Sequence, residues 1–269
     1  MLRNTWPIIV GGCFRSGTSL VRRLLNAHSR IACGPEVTFF RDFYNRYHDD
    51  RYRHVRFSTT ARTLVPEAEL LEVLGQAFVT LHERAAARAG KARWADKAPE
   101  NVTYLAEWER LLGEEWVLLH VVRNPLDTLA SIKEARFPLT IPPEVDARIA
   151  LYRRYVECGL RFGDEHPDRY HVVVYEKLAL APRSTLAAVM GWLDEELEEN
   201  QLAFGRVHHE LGLEDAKVGA TTAVHSQSVG RWPAVLTPDE AQTIWRETKD
   251  VWKLLDPRGE CAPRITETE

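Results

Sequence analysis

The sequence predicts a three-layer α/β fold, a central parallel β-sheet flanked by helices, in one domain spanning residues 1–269. Short apolar, β-branched runs alternate with stretches of helical periodicity in the order β-α-(α)-β-α-β-α-α-β-α-α, as a helix-wrapped parallel sheet requires. Trp116 to Val122 (WVLLHVV) is a near-continuous apolar run, the mark of a strand covered on both faces. Pro7 to Asn26 (PIIVGGCFRSGTSLVRRLLN) passes from a strand through glycines into a helix.

Composition sets outer limits. With 45% hydrophobic residues, 28% charged residues and eight tryptophans, the chain has the make-up of a soluble globular protein. A formal net charge of -4 gives no electrostatic case for nucleic acid as partner. No apolar run approaches the roughly 20 residues of a membrane span, and the N-terminal residues carry no leader-like charged and apolar regions. Cys13, Cys33, Cys158 and Cys261 lack metal or disulfide spacing and read as reduced thiols of a cytoplasmic protein, with Cys13 a candidate reactive thiol. There is no internal repeat or low-complexity linker.

The first element is a strand at Pro7 to Val10, followed by a turn and a helix from Ser16 to Asn26 bearing Leu20, Val21, Leu24 and Leu25 at helical spacing. Gly12 and Gly17 are separated by four residues and Thr18-Ser19 follow, a phosphate-loop pattern with threonine in place of its lysine. Backbone N–H groups and the positive end of the helix make such a turn an anion cradle. Gly17 lets the main chain approach the anion, and Ser16, Thr18 and Ser19 offer hydroxyls. The cation stands at Arg15, on the other side of the turn. A nucleoside triphosphatase places its lysine on the β- and γ-phosphates, so the substitution points to a different anion. An ordinary strand-to-helix turn, with glycines serving only close packing, is the plain alternative.

This loop resembles the 5′-phosphosulfate loop of sulfotransferases that use 3′-phosphoadenosine 5′-phosphosulfate (PAPS), in which a basic residue at the position of Arg15 bridges sulfate and leaving phosphate. The next stretch, NAHSRIACGPEVTFF, is similar to the corresponding region of tyrosylprotein sulfotransferases and related bacterial enzymes. That resemblance implies that Glu36 is the general base. Read without it, Glu36 is a carboxylate at a helix start, favoured by the helix dipole. Cytosolic sulfotransferases use a histidine elsewhere, so His28, His120 and His225 stay open as bases.

Residues 41 to 65 are basic and aromatic and read as a solvated face or an acceptor rim. A helix is expected from about Pro66 to Ala89, ended by Gly90. Arg93 to Lys97 reads as a second strand leading into a helix near Pro99, with Lys97 at the carboxyl edge where open α/β sheets gather ligands. A solvated turn charge is the alternative for Lys97. Its surroundings, with Asp96 and Pro99, resemble the family segment whose lysine stabilises the transferring sulfuryl group.

The strand at 116–122 ends in Arg123-Asn124-Pro125, and a helix starting at Pro125 carries Ser131 two turns along. An arginine at a strand tip and a serine eight positions later resemble the family's pair for the nucleotide 3′-phosphate. A helix from about Pro143 to Gly163 and a fourth strand at Tyr170 to Tyr175 follow. The resemblance places Tyr175 beside the adenine. Residues 195 to 210 read as an acidic, exposed helix. The segment VGATTAVHSQSVGRWPAVLTP reads as a loop and resembles the family's late lid. In that lid Arg231 matches the basic position, and Ser226, with Thr222 and Ser228 as rivals, is the serine expected at the sulfuryl end. Thr237 to Glu240 caps a last helix running to about Leu255.

The resemblance therefore implies a P-loop NTPase-like sulfotransferase fold with an acceptor cleft built from inserted helices. The implied reaction transfers a sulfuryl group from PAPS to an acceptor hydroxyl and leaves 3′-phosphoadenosine 5′-phosphate (PAP). Arg15, Lys97 and Glu36 are the implied catalytic residues. The sequence holds no Walker-B motif or ligand cluster, and the implied reaction needs no metal. The acceptor can be a small molecule, glycan, lipid or peptide tyrosine, and a homodimer is left open. A P-loop nucleotide kinase and a non-catalytic PAP-binding protein are the two rival readings.

Overall fold

The computed structural model describes residues 3–46, 59–135, 141, 144–210, 218 and 221–263. Its strands are β1 (Ile8–Gly12), β2 (Ile31–Cys33), β3 (Arg93–Lys97), β4 (Val117–Val122) and β5 (Tyr170–Val174). They form one five-stranded sheet in the order β2-β3-β1-β4-β5, with all pairings parallel. The α-helices are α1 (Thr18–Asn26), α2 (Phe39–Tyr44), α3 (Glu67–Arg88), α4 (Leu105–Leu112), α5 (Pro125–Ala135), α6 (Val145–Glu165), α7 (Tyr175–Leu180), α8 (Pro182–Trp192), α9 (Glu199–Leu202) and α10 (Pro238–Leu255).

Period-two alternation gives the sheet two apolar faces. Ile8, Val10, Leu119 and Val121 pack with residues of α1, α7 and α8 on one face. Ile9, Leu118 and Val122 join the larger cluster built by α3, α4, α5, α6 and α10 on the other. Every residue of β1, β3 and β4 is buried; β1 and β4 are accordingly near-continuous apolar runs, while β3 buries the charged Arg93, Asp96 and Lys97. The chain leaves β1 toward β2 at one edge of the sheet and leaves β4 toward β5 at the other. A crevice therefore opens between the carboxyl ends of β1 and β4, the place where such sheets bind ligands.

Several boundaries differ from the sequence expectation. β1 continues through Gly11 and Gly12, and α1 starts at Thr18, not Ser16. β2 is a strand beyond the four expected; three residues long and at the sheet edge, it carries no periodicity to read. A 3₁₀ turn at Pro99–Thr103 precedes α4. The acidic stretch holds only the short α9 and a 3₁₀ turn, Phe204–Arg206, because the Glu198/Gln201 capping box starts a helix that stops at Leu202. Tyr175 is the first residue of α7 and no longer part of β5. Residues 47–58 of the basic aromatic segment lie outside the described residues.

Gly12 makes a local test of this arrangement. Its φ is 157°, and an added Cβ would stand 2.1 Å from the Val121 carbonyl oxygen on β4. Gly12→Ala must push the two central strands apart, so a loss of about 2 kcal/mol and a fall of roughly 4–8 °C in Tm are expected. A thermal melt equal to wild type would show that the strands tolerate this shift.

Candidate functional site

The first part of the site is the turn between β1 and α1. Arg15 and Gly17 both take positive φ, 69° and 103°. Gly17 caps α1 without a side-chain bond, and its carbonyl accepts from the Leu20 and Val21 N–H groups. Only glycine fits there, because a Cβ would meet the Tyr175 ring at 2.5 Å. Ser16, Thr18 and Ser19 are buried around the turn, and the Ser16 Oγ has no hydrogen-bond partner.

The second part is the tip of β4 and the start of α5. Asn124 caps α5: its Oδ1 accepts the Leu126 N–H at 2.9 Å, while its own N–H is bound by Glu176, whose carboxyl burial pushes up to about 7. Arg123 is buried, with its guanidinium carbon 4.7 Å from the Tyr175 ring centre. Its Nη1 donates to the Arg15 carbonyl at 3.1 Å, its Nη2 donates to the Ser228 carbonyl, and its Nε has no partner. Arg15 Nε donates to the Ser131 Oγ at 3.1 Å, so the two expected anion motifs touch each other directly.

Arg15, Gly17, Arg123, Ser131, Tyr175 and Arg231 line one solvent-open cleft. The late loop forms its far wall with Thr221, Val224, His225 and Ser228. Ser226 is exposed and does not line the cleft, and Thr222 is likewise exposed. Arg231 pairs with Glu134 on α5 at 3.0 Å and keeps a half-exposed guanidinium. Sequence reading missed Asp127, whose carboxylate accepts from the Gly230 N–H at 2.6 Å and the Trp232 N–H at 2.9 Å. Asp127 thereby fastens the loop to α5; its position four residues after Arg123, one helical turn on, was the available signal.

The third part lies at the tips of β2 and β3. Glu36 precedes α2 by three residues and is outside its first turn, so the dipole explanation does not apply. Lys97, fully buried at the end of β3, donates to Glu36 Oε2. Beside them Arg41 of α2 pairs with Glu100. Burial pushes the Glu100 carboxyl up to about 7; Arg41 opposes that shift and Glu36 adds to it. Neither Glu36 nor Lys97 lines the large cleft.

The histidine alternatives separate. His28 bonds the Glu196 carbonyl at 3.1 Å, beside the α8–α9 connection. His120 is buried in the middle of β4 against the Tyr170 hydroxyl at 2.8 Å, and burial pulls its pKa down to about 3. His225 lines the cleft, and its Nδ1 has no partner. Cys13 is buried and its thiol is pushed up by desolvation, so it is no reactive thiolate.

The fold and these three parts define a parallel α/β protein with a cleft at its switch point lined by Arg15, Arg123 and Arg231. Residues 7–199 match the model of the Sulfotransferase family, and the chain belongs to that family. A Caenorhabditis briggsae protein provisionally named a protein-tyrosine sulfotransferase is 25% identical over 216 residues, 78% of this chain and 72% of that protein. The fold is similar to the sulfotransferase domain of the Synechococcus PCC 7002 olefin synthase, with a TM-score of 0.65 at 18% identity over 91% of this chain and 94% of that one. Mouse sulfotransferase SULT7A1, solved in complex with PAP, superposes with a TM-score of 0.51 at 13% identity over 95% of this chain and 86% of that one. The chain is thus a sulfotransferase, an enzyme that transfers a sulfuryl group to an acceptor.

Proposed function

We propose that the donor is PAPS, released as PAP, and that one domain over residues 1–269 binds it across the β1–β4 crevice. The observation that carries this reading is the shared cleft of Arg15 and Arg123, tied together through Ser131 and the Arg15 carbonyl. The unpartnered Ser16 Oγ and Arg123 Nε, and the space kept by Gly17, fit an anionic nucleotide. Arg15 and the N-terminus of α1 hold the 5′-phosphosulfate, while Arg123 and Ser131 hold the 3′-phosphate. Tyr175 supports Arg123 and borders the adenine, and Arg231 closes the late loop over the nucleotide.

Lys97 stabilises the charge on the transferring group, Arg15 neutralises the leaving phosphate, and Glu36 takes the proton of a hydroxyl-bearing acceptor. Positioning and charge neutralisation supply the rate enhancement, as in phosphoryl transfer. Four free thiols suit a cytoplasmic enzyme, and no helix among the described residues is long and apolar enough to cross a membrane. The test is a thermal-shift comparison of PAP with ATP: PAP at saturating concentration raises Tm by several degrees, at [ligand]/Kd of 100 worth about 2.7 kcal/mol, and ATP does not. Stabilisation by ATP with magnesium and none by PAP would overturn the donor assignment.

Glu36→Gln tests the base. Turnover with PAPS is expected to fall roughly 10²–10⁴-fold, while PAP affinity stays as in wild type, because Glu36 lies outside the donor cleft. Undiminished turnover would remove Glu36 from the mechanism and leave His225 as the base to test.

A further inference from the structure

The β2–α2 segment is joined to the tip of β3 by two ion pairs of opposite polarity. Glu36 accepts from Lys97, and five residues on, Arg41 pairs with Glu100, three residues after Lys97. Lys97 and Glu100 are separated by Ala98 and the start of the Pro99–Thr103 turn, which holds them on one tip. Arg41 also lies 5.6 Å from the ring centre of Phe14, a residue of the anion loop that packs on Tyr155 at 5.5 Å. A single segment is thus fixed to the β3 tip by Glu100 and to the anion loop by Phe14, with Arg41 as the common point.

The proposed chemistry makes two demands on the inner pair. Lys97 must turn toward the charge developing on the sulfuryl group, and Glu36 must release Lys97 to accept a proton. Opening that pair removes one of the two links that hold Glu36. We propose that the Arg41–Glu100 pair is the positioning device that keeps Glu36 in place while the Lys97–Glu36 pair is open. The inference rests on the reading of Glu36 as base. Arg41 and Glu100 do not line the donor cleft, and Glu100 is only 4% exposed, so neither acts by touching the nucleotide.

The pair also brings a pH dependence. The groups acting on Glu100 are Arg41 of α2, Glu36 ahead of it, Lys97 of β3, Tyr104 before α4 and Tyr155 of α6. Both tyrosine hydroxyls are raised and stay neutral through the working range. Glu100 carries its charge only above about 7, because burial favours the neutral form more than Arg41 favours the charged one. The anchor is therefore complete above that pH and weakens below it, and turnover should rise through it.

The test compares wild type, Glu100→Gln, Arg41→Met and Arg41→Lys, with PAP for donor affinity and PAPS with 4-nitrophenol for turnover. Glu100→Gln and Arg41→Met are expected to lower kcat at least tenfold with PAP affinity unchanged and to lose the inflection near 7; Arg41→Lys should recover part of kcat. Glu100→Gln matching wild type in kcat and pH profile would overturn the proposal, as would equal losses of kcat, PAP affinity and Tm. If 4-nitrophenol is not an acceptor, ¹³C-glutamate NMR decides. The Glu100 carboxyl signal, identified by its loss in Glu100→Gln, should titrate near 7, lower in Glu36→Gln and higher in Arg41→Met. A Glu100 signal indifferent to both substitutions overturns the anchor. Absence of PAP binding to wild type, or full activity of Glu36→Gln, would instead sink the donor or base assignment.

Discussion

Replacing Lys97 by alanine is expected to lower turnover about 10²–10³-fold, the usual effect of removing one group aimed at developing transition-state charge. The effect should fall on kcat, because Lys97 is held by Glu36 at the β3 tip and does not line the nucleotide cleft. A stability loss must be separated from it. Lys97 is fully buried, and removing one half of such a pair leaves an uncompensated charge at a cost of about 3–5 kcal/mol. The double variant Glu36→Gln/Lys97→Met removes both charges and keeps the volume. It should recover most of the lost Tm and none of the turnover. Recovery of turnover with Tm would mean that Lys97 matters only for folding.

The second large effect is expected at Arg123. Truncation to alanine should weaken PAP binding by about 2–4 kcal/mol, roughly 30-fold to several hundred-fold. In the proposed binding mode the buried guanidinium meets the 3′-phosphate in the cleft it shares with Arg15, and its Nε has no hydrogen-bond partner. Arg123→Lys should not restore affinity, because an ammonium cannot both stack on Tyr175 and reach the Arg15 and Ser228 carbonyls. Titration calorimetry with PAP measures both variants. An affinity within threefold of wild type for Arg123→Ala would contradict the assignment.

The parts of the site that were legible in the sequence are those encoded locally. A glycine forced by positive φ at residue 17, a cation at residue 15 and a strand tip followed by proline at 123–125 each announce their own geometry. Two of the three buried central strands, β1 and β4, were legible for the same reason: their apolar runs need no partner to be recognised, whereas β3 carries Arg93, Asp96 and Lys97 and is marked by the turn at Pro99 that follows it. β2 was not, because Ile31-Ala32-Cys33 becomes a strand only through its pairing with Arg93 to Ala95. Ser226 was placed in the cleft on loop resemblance, and the structure turns it outward. What the loop presents to Arg123 is the Ser228 backbone carbonyl, and a carbonyl leaves no trace in residue identity. The Arg41–Glu100 pair spans 59 positions of sequence and joins two segments that only the sheet brings together.

In the proposed binding mode one nucleotide is held at both charged ends, its 3′-phosphate by Arg123. The most direct measurement is the affinity of PAP against that of AMP, which lacks only the 3′-phosphate, for wild type and Arg123→Ala. Wild type should prefer PAP by at least tenfold, and in Arg123→Ala that preference should disappear while AMP binding is kept. If the variant discriminates between PAP and AMP as wild type does, Arg123 does not hold the 3′-phosphate and the two-ended grip is wrong.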